Sequence, residues 1–305
     1  MAVTAFLHYA LEVPDPAVGQ RYYRDFGLVD ATGSGNAIRL RAAKQQRENV
    51  LLYGGPRKRL HHLCFGAPGE AFARVRQSLS RAAVTEVDPP RGAPEEGIWV
   101  KDPDGNPVNI RDEAPDPEPG DPPLLLNSPG HAPRQAVRGC PERGHGAAPR
   151  RLGHVLLFSP DLARQVDFYT RVLGMKLSDR SRDIIAFMRC STDHHNLAVI
   201  ASKGPGFHHG SFQVGSVDEI ALGALRMADR GWQPGWGLGR HVIGSNFFYY
   251  IRDPWGSLAE YYFDLDYIPE ECAWVPRDFP PEDSLYLWGP PLPPDFGENK
   301  ELEPR

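Results

Sequence analysis

The strongest constraint on this chain is an internal repeat: the stretches on either side of residues 111–151 carry the same succession of elements and end in the same turn. In the second stretch, HVLLFS (154–159) reads as a strand that His154 opens. Asp161 reads as the cap of a helix whose Leu162, Val166, Tyr169 and Leu173 recur at helical spacing, and Gly174 as its stop. Strands are predicted at IIAFMR (184–189), NLAVIA (196–201) and GSFQVG (210–215), then a helix over 217–230, then strands SNFFYYIR and LAEYYF. The first stretch offers the same elements: FLHYALEV, a helix near 17–26, strands AIRLRA, NVLLYG and HHLCFG, a helix near 70–82, then IWVK and PVNIRDE. The order is β-α-β-β-β, twice over, which predicts an α+β fold.

Each half closes on Asp-Pro-x-Gly, at residues 102–105 and again at 253–256, a composition that favours a type I turn. These turns set a common register. Asn109 and Glu260 each lie seven residues beyond their turn's Asp, His8 corresponds to His154, and His62 to His209.

The segment between the halves turns to Pro, Gly and charge, interrupted only by Leu124 to Leu126, and reads as an irregular connector. The expected organisation is a non-catalytic domain over 1–112, the connector over 113–151, a catalytic domain over 152–270, and a tail over 271–305 lying on it. A formal charge of −5 with 34 basic residues spread along the chain leaves no basic footprint for nucleic acid or anionic lipid. A small molecule is the expected partner. Four cysteines at 64, 140, 190 and 272 form no CxxC pair and fit free thiols in a reducing compartment. The opening MAVTAFLHYALEV lacks a basic n-region and a cleavage site, and no run reaches membrane-spanning length. A cytoplasmic protein is the expectation.

Period-two alternation puts His154 on one strand face with Leu156 and Phe158, where a polar group needs a reason. His209 reads as the start of another strand, and Glu260 sits inside LAEYYF, where an unpaired carboxylate is costly to bury. Taken alone, His154 is more often a strand-end histidine than a ligand. His209 is no better, since either ring of the 208–209 pair could point outward. Glu260 says more, because Glu is depleted in buried strands. Two imidazoles and a carboxylate on separate strands suit a facial triad with open positions, as in non-haem Fe(II) oxygenases. Further ionisable groups lie nearby: His194-His195, His241 and Tyr249-Tyr250. In isolation the histidine pair reads as an exposed turn and the tyrosines as ordinary strand aromatics. Beside a metal, a near-neutral histidine could take a proton from a catechol and later return it.

From residue 153 to 267 the stretches GHVLLFSPDLARQVDFYTRVLGM, DHHNLAVI, PGFHHGSFQVGS, GWGLGRH and NFFYYIRDPWGSLAEYYFD resemble the type I extradiol ring-cleavage dioxygenases of the vicinal oxygen chelate superfamily. That group includes the catechol and dihydroxybiphenyl dioxygenases, and the likeness covers nearly the whole chain. It implies tandem βαβββ modules, paired within two domains, with mixed curved sheets around a metal pocket. It implies that His154, His209 and Glu260 bind Fe(II), with Mn(II) as the alternative, and that O2 is co-substrate. His195 would be the acid-base residue, and His241 and Tyr250 would contact substrate or bound oxygen. The substrate would be a substituted catechol, and the assembly a homo-oligomer. The first half keeps His8 and His62 but has Asn109 where the carboxylate would stand, so a metal-free scaffold is expected there. Arg240 and Arg252 read as candidates for attracting a carboxylated substrate, or as solvated strand-end arginines. Three rivals remain on the sequence. A metal-free aromatic-ligand binder would lack the triad, a Zn, Ni or Mn isomerase would draw ligands from both halves, and a relative with a decayed site would not keep His195, His241 and Tyr250.

Overall fold

The computed structural model describes residues 2–302 except 34, 119, 143 and 145. The first half runs β1 (Ala5–Val13), α1 (Pro16–Phe26), β2 (Val29–Asp30), β3 (Ile38–Arg41), β4 (Val50–Gly54), β5 (Arg59–Gly66), α2 (Glu70–Arg81), β6 (Ile98–Lys101) and β7 (Pro107–Arg111). The second runs β8 (Arg151–Ser159), α3 (Leu162–Asp167), β9 (Lys176–Ser181), β10 (Ile185–Arg189), β11 (Leu197–Ala201), β12 (Gly206–Gln213), α4 (Val217–Asp229), β13 (Pro234–His241), β14 (Phe247–Arg252) and β15 (Leu258–Phe263). In the tail lie β16 (Arg277–Asp278) and β17 (Tyr286–Trp288).

The βαβββ order is complete in the second half, as β8 to β11 and again as β12 to β15. The first half is one strand short in its second unit. Strands β9 and β13 were not predicted, because KLSDRS is largely polar and PGWGLGRH is rich in glycine, both poor signals for a pleated strand. The predicted starts of two site strands are corrected as well. His154 and His209 lie inside β8 and β12 rather than opening them, since Arg151 to Gly153 and Gly206 to His208 already belong to the ladder.

Each half forms one mixed sheet. The first has the order β2-β3-β4-β1-β5-β7-β6 and the second β16-β9-β10-β11-β8-β12-β15-β14-β13-β17. In the second sheet the unit-opening strands β8 and β12 are antiparallel neighbours at the centre, and each has the last strand of a unit parallel beside it, β11 and β15 respectively. The Asp-Pro turns form as expected. Gly105 N–H donates to Asp102 O at 2.9 Å, and the Asp253 carboxylate accepts from the N–H groups of Trp255 and Ser257. Asp161 caps α3 by accepting from Arg164 N–H at 3.0 Å, and Gly174 ends that segment with φ 73°.

One large apolar core runs through both halves, with smaller clusters beside it. Phe26, fully buried at the end of α1, stacks on Tyr261 of β15 at 3.9 Å, and the Tyr261 hydroxyl donates to the Phe26 carbonyl at 2.6 Å. Tyr9 stacks on Phe207, and the Tyr169 hydroxyl donates to Asp102 in the turn of the other half. The connector, among the described residues, carries no strand beyond the isolated bridge Ser128–His131, and Leu124, Leu125 and Leu126 are exposed. No helix among the described residues is long and apolar enough to cross a membrane. The tail is ordered against both edges of the second sheet, with β16 pairing β9 and β17 pairing β13.

Because Phe26 seals the contact between the halves, Phe26→Ala is expected to destabilise the protein by about 3–5 kcal/mol. Urea unfolding measures it, and a loss below about 1 kcal/mol would show that the two halves do not share a core.

Candidate metal centre and active site

Strands β8, β12 and β15 lie side by side, and their register aligns the chemistry. Ser211 on β12 pairs with His154 on one side and with Glu260 on the other, and His209 lies two residues before Ser211 on the same face. The three predicted ligands therefore converge although 106 residues separate His154 from Glu260. His154 Nε2 lies 3.1 Å and His209 Nε2 3.3 Å from Glu260 Oε2, and the three donor atoms fall within 4.8 Å of one another. Bonds of about 2.1 Å at right angles put neighbouring donors about 3.0 Å apart, so the set has the span of one face of a coordination shell.

The protonation states fit a cation. Burial alone would push the Glu260 carboxyl up, but the neighbouring imidazoles, His154 foremost, outweigh that and hold it well below the usual carboxylate range. Burial pushes the His209 imidazole down, more than Glu260 raises it. At neutral pH the pair is thus an anion facing a neutral ring.

The hydrogen bonds then fix which edge that ring presents. The register of β12 against β8 skips at His208, a β-bulge that tucks its ring against His209. His208, kept neutral by burial, donates from Nε2 to the Phe296 carbonyl at 2.7 Å, so its Nδ1 can only accept. His209 Nδ1 lies 2.7 Å away and must be the donor. His209 Nε2 is left with a lone pair that has no hydrogen-bond partner and points at the Glu260 carboxylate. A lone pair facing an anion in a dry core is unfavourable unless a cation lies between them.

The other predicted residues flank this set. His195 packs its ring on His154 at 4.1 Å, and Tyr250 lies edge-on to His209 at 5.1 Å. His241 donates from Nδ1 to the Leu285 carbonyl at 2.7 Å and faces the Tyr250 hydroxyl with Nε2 at 3.0 Å. Burial pushes the His241 pKa down to about 4, so the neutral ring accepts the Tyr250 O–H. All six predicted residues line one cavity of about 280 Å³. Arg240 and Arg252 do not line it, since they pair with Asp264 and Asp295. Sequence reasoning missed Asn246, whose buried amide donates to Glu260 Oε1 at 3.4 Å, and the carbonyls of Leu285 and Phe296. Nothing in the sequence marks a carbonyl as a partner. Asn246, a polar residue leading into FFYYIR, was a readable signal.

Residues 151–261 match the family model described as the Glyoxalase/Bleomycin resistance protein/Dioxygenase superfamily. Metapyrocatechase 2 of Cupriavidus necator is 45% identical over 303 residues, covering 98% of this chain and 93% of that protein. The chain belongs to the extradiol dioxygenases of this superfamily. The Iron-dependent extradiol dioxygenase of Rhodococcus jostii (strain RHA1) is 28% identical over 45% of this chain and 50% of its own length. Among solved structures, the Mn(II)-bound glyoxalase from Novosphingobium aromaticivorans superposes with TM-score 0.77 at 26% identity, covering 96% of this chain and 93% of that one.

The first half of this dioxygenase shows what the second has kept. His8 Nε2 and His62 Nε2 lie 3.1 Å apart, and the register skips at His61 as it does at His208. Where Glu260 would stand, Asn109 turns its amide to the Glu96 carbonyl and accepts from Arg111 Nε at 2.9 Å. Burial and the nearby Arg111 charge both push His8 down. With a fixed cation in place of a carboxylate, no metal is expected there. Equilibrium dialysis against Mn(II) is expected to saturate at one ion per chain, and a second bound ion would place one at His8 and His62.

Proposed function

We propose that this chain cleaves an apolar, uncharged substituted catechol beside one of its hydroxyls, using O2 and a single Fe(II), or Mn(II) in its place, held by His154, His209 and Glu260. The observation that carries the ligand assignment is the unpartnered His209 Nε2 aimed at the ionised Glu260 in a buried site. A bound ion would supply Lewis-acid and redox chemistry for a catechol and O2 at this site.

The remaining work falls to the side chains. His154 and His209 would supply lone pairs and Glu260 a negative charge that balances part of the dication. His195, beside His154, would take a proton from a catechol hydroxyl and return it later in the reaction, a transfer of the kind that contributes about 10²- to 10⁴-fold. Burial and the surrounding histidines push its pKa well down, so it rests as the free base. On the other flank the Tyr250 hydroxyl is the donor available to oxygen-centred charge, and His241 Nε2, 3.0 Å from it, holds that hydroxyl in place. Burial and the adjacent Glu260 push the Tyr250 pKa well up, which keeps its hydroxyl a donor.

The walls support an apolar substituent. Leu156, Ile184, Phe187, Ile200, Leu292 and Phe296 line the cavity, and no Lys or Arg does so among the described residues. The reading extends to a cytoplasmic enzyme, which four free thiols support, and to a homo-oligomer, which the family resemblance supports.

After anaerobic loading with Fe(II), the protein is expected to turn 3- or 4-alkyl and aryl catechols into a yellow ring-opened product. Carboxylated catechols are expected to react with kcat/KM lower by about 100-fold, because an unpaired buried carboxylate costs several kcal/mol. Preference for the carboxylated series would reject the apolar reading, and an iron-loaded protein inert to all catechols would reject ring cleavage. Glu260→Ala and His209→Ala should each weaken iron binding by on the order of 100-fold or more, read by competition with a chelator.

A further inference from the structure

The hydrogen bonds behind His195 run outward to a residue with no assigned part in the reaction. Asp179 lies on β9, a strand remote from the ligand-bearing centre of the sheet, and its side chain is 5% exposed. One of its oxygens accepts the Arg277 N–H at 2.7 Å and the other lies 2.8 Å from His194 Nε2. The second ring nitrogen of His194 then lies 3.0 Å from His195 Nδ1. Phe187 and Trp274 pack around the His194 ring, and the Trp274 indole is itself anchored to the Ser178 carbonyl at 2.9 Å.

We propose that Asp179 and His194 are positioning residues that lock His195 in the tautomer protonated at Nδ1, so that its Nε2 lone pair faces the substrate pocket. The deduction runs inward from the carboxylate. Asp179 offers only acceptor oxygens, so His194 Nε2 carries the hydrogen. In the imidazole form of His194 the other ring nitrogen, Nδ1, carries a lone pair, which fixes the hydrogen of that contact on His195 Nδ1. His195 Nε2 is left bare. The opposite tautomer would present an N–H to the pocket and could not take a catechol proton.

Among the described residues, two other histidine pairs share this Nδ1-to-Nδ1 contact, His61-His62 and His208-His209, but their outer rings end on the carbonyls of Arg91 and Phe296. Only the His194 ring ends on a carboxylate. Each end group orients its pair, and the carboxylate does so with a charge-assisted bond, which is the stronger anchor.

The use of that lone pair rests on the ring-cleavage reading, whereas the tautomer itself does not, and the test separates the two. Asp179→Asn keeps the acceptor for Arg277 N–H on one atom and must then turn its NH2 toward His194 Nε2. The whole chain inverts, His194 donates to His195 Nδ1, and His195 presents Nε2–H to the pocket. His194→Phe keeps the packing against Trp274 and removes both nitrogens. The full-length protein loaded with diamagnetic Zn(II) is read by ¹⁵N chemical shifts of the His195 ring, and the Fe(II) enzyme by kcat, KM and anaerobic catechol affinity.

The expected result is Nδ1-protonated His195 in the parent protein and Nε2-protonated His195 in Asp179→Asn. In both variants kcat should fall by on the order of 100-fold, with iron content, KM and anaerobic affinity nearly unchanged. Nε2-protonated His195 in the parent protein would overturn the proposal, as would an unaltered kcat in the variants. So would losses of iron content and substrate affinity that match the loss in kcat, since those mark a purely structural role. If the parent protein cleaves no catechol, the ring-cleavage reading fails, and the parent ¹⁵N spectrum still decides the tautomer.

Discussion

The buried carboxylate of Glu260 facing the bare Nε2 of His209 is the interaction around which the second half is arranged. An anion with no exposed surface, set against an imidazole lone pair, is a poor way to fill a protein core unless a cation completes it. The three neighbouring strands that carry it are held in fixed register through Ser211, and the bulge at His208 supplies the hydrogen bond that turns the lone pair inward. Position, charge and tautomer thus come from three separate structural devices acting on the same few atoms.

The first half shows the same scaffold with that interaction removed. His8, His62 and the bulge at His61 are all present. With Asn109 bonded to Arg111, the charge at the third corner changes from negative to positive, and the two imidazoles approach each other instead of a common guest. Asn109 and Arg111 together stand where the second half has the Glu260 carboxylate. The shared core ties the halves together, since Phe26 and Tyr9 from the first half pack directly on Tyr261 and Phe207 of the second.

The tail has a larger part than its irregular composition suggests. Its β17 pairs with the strand that carries His241, its Leu285 carbonyl orients that ring, and its Phe296 carbonyl ends the chain that orients His209. Leu292 and Phe296 also wall the cavity. Residues that line the cavity and carbonyls that bond the site histidines therefore share one segment.

Much of the site was legible in the sequence because the repeat and its Asp-Pro turns supplied a ruler. Counting from Asp253 reached Glu260, and matching halves reached His154 and His209. Local patterning also gave α3's cap and the two closing turns, which depend on nearest neighbours alone. Strands β9 and β13 escaped, since polar and glycine-rich segments become strands only when a sheet edge recruits them. The sequence by itself determined which residue types stand at corresponding points of two similar modules. Only the tertiary structure decided which ring nitrogens face one another, that Asp179 meets His194 behind His195, that Arg240 and Arg252 lie outside the pocket, and that the walls are apolar. The physical reason is that tautomers and pocket polarity depend on hydrogen bonds and contacts between residues far apart in the chain, often to main-chain carbonyls that every residue carries alike.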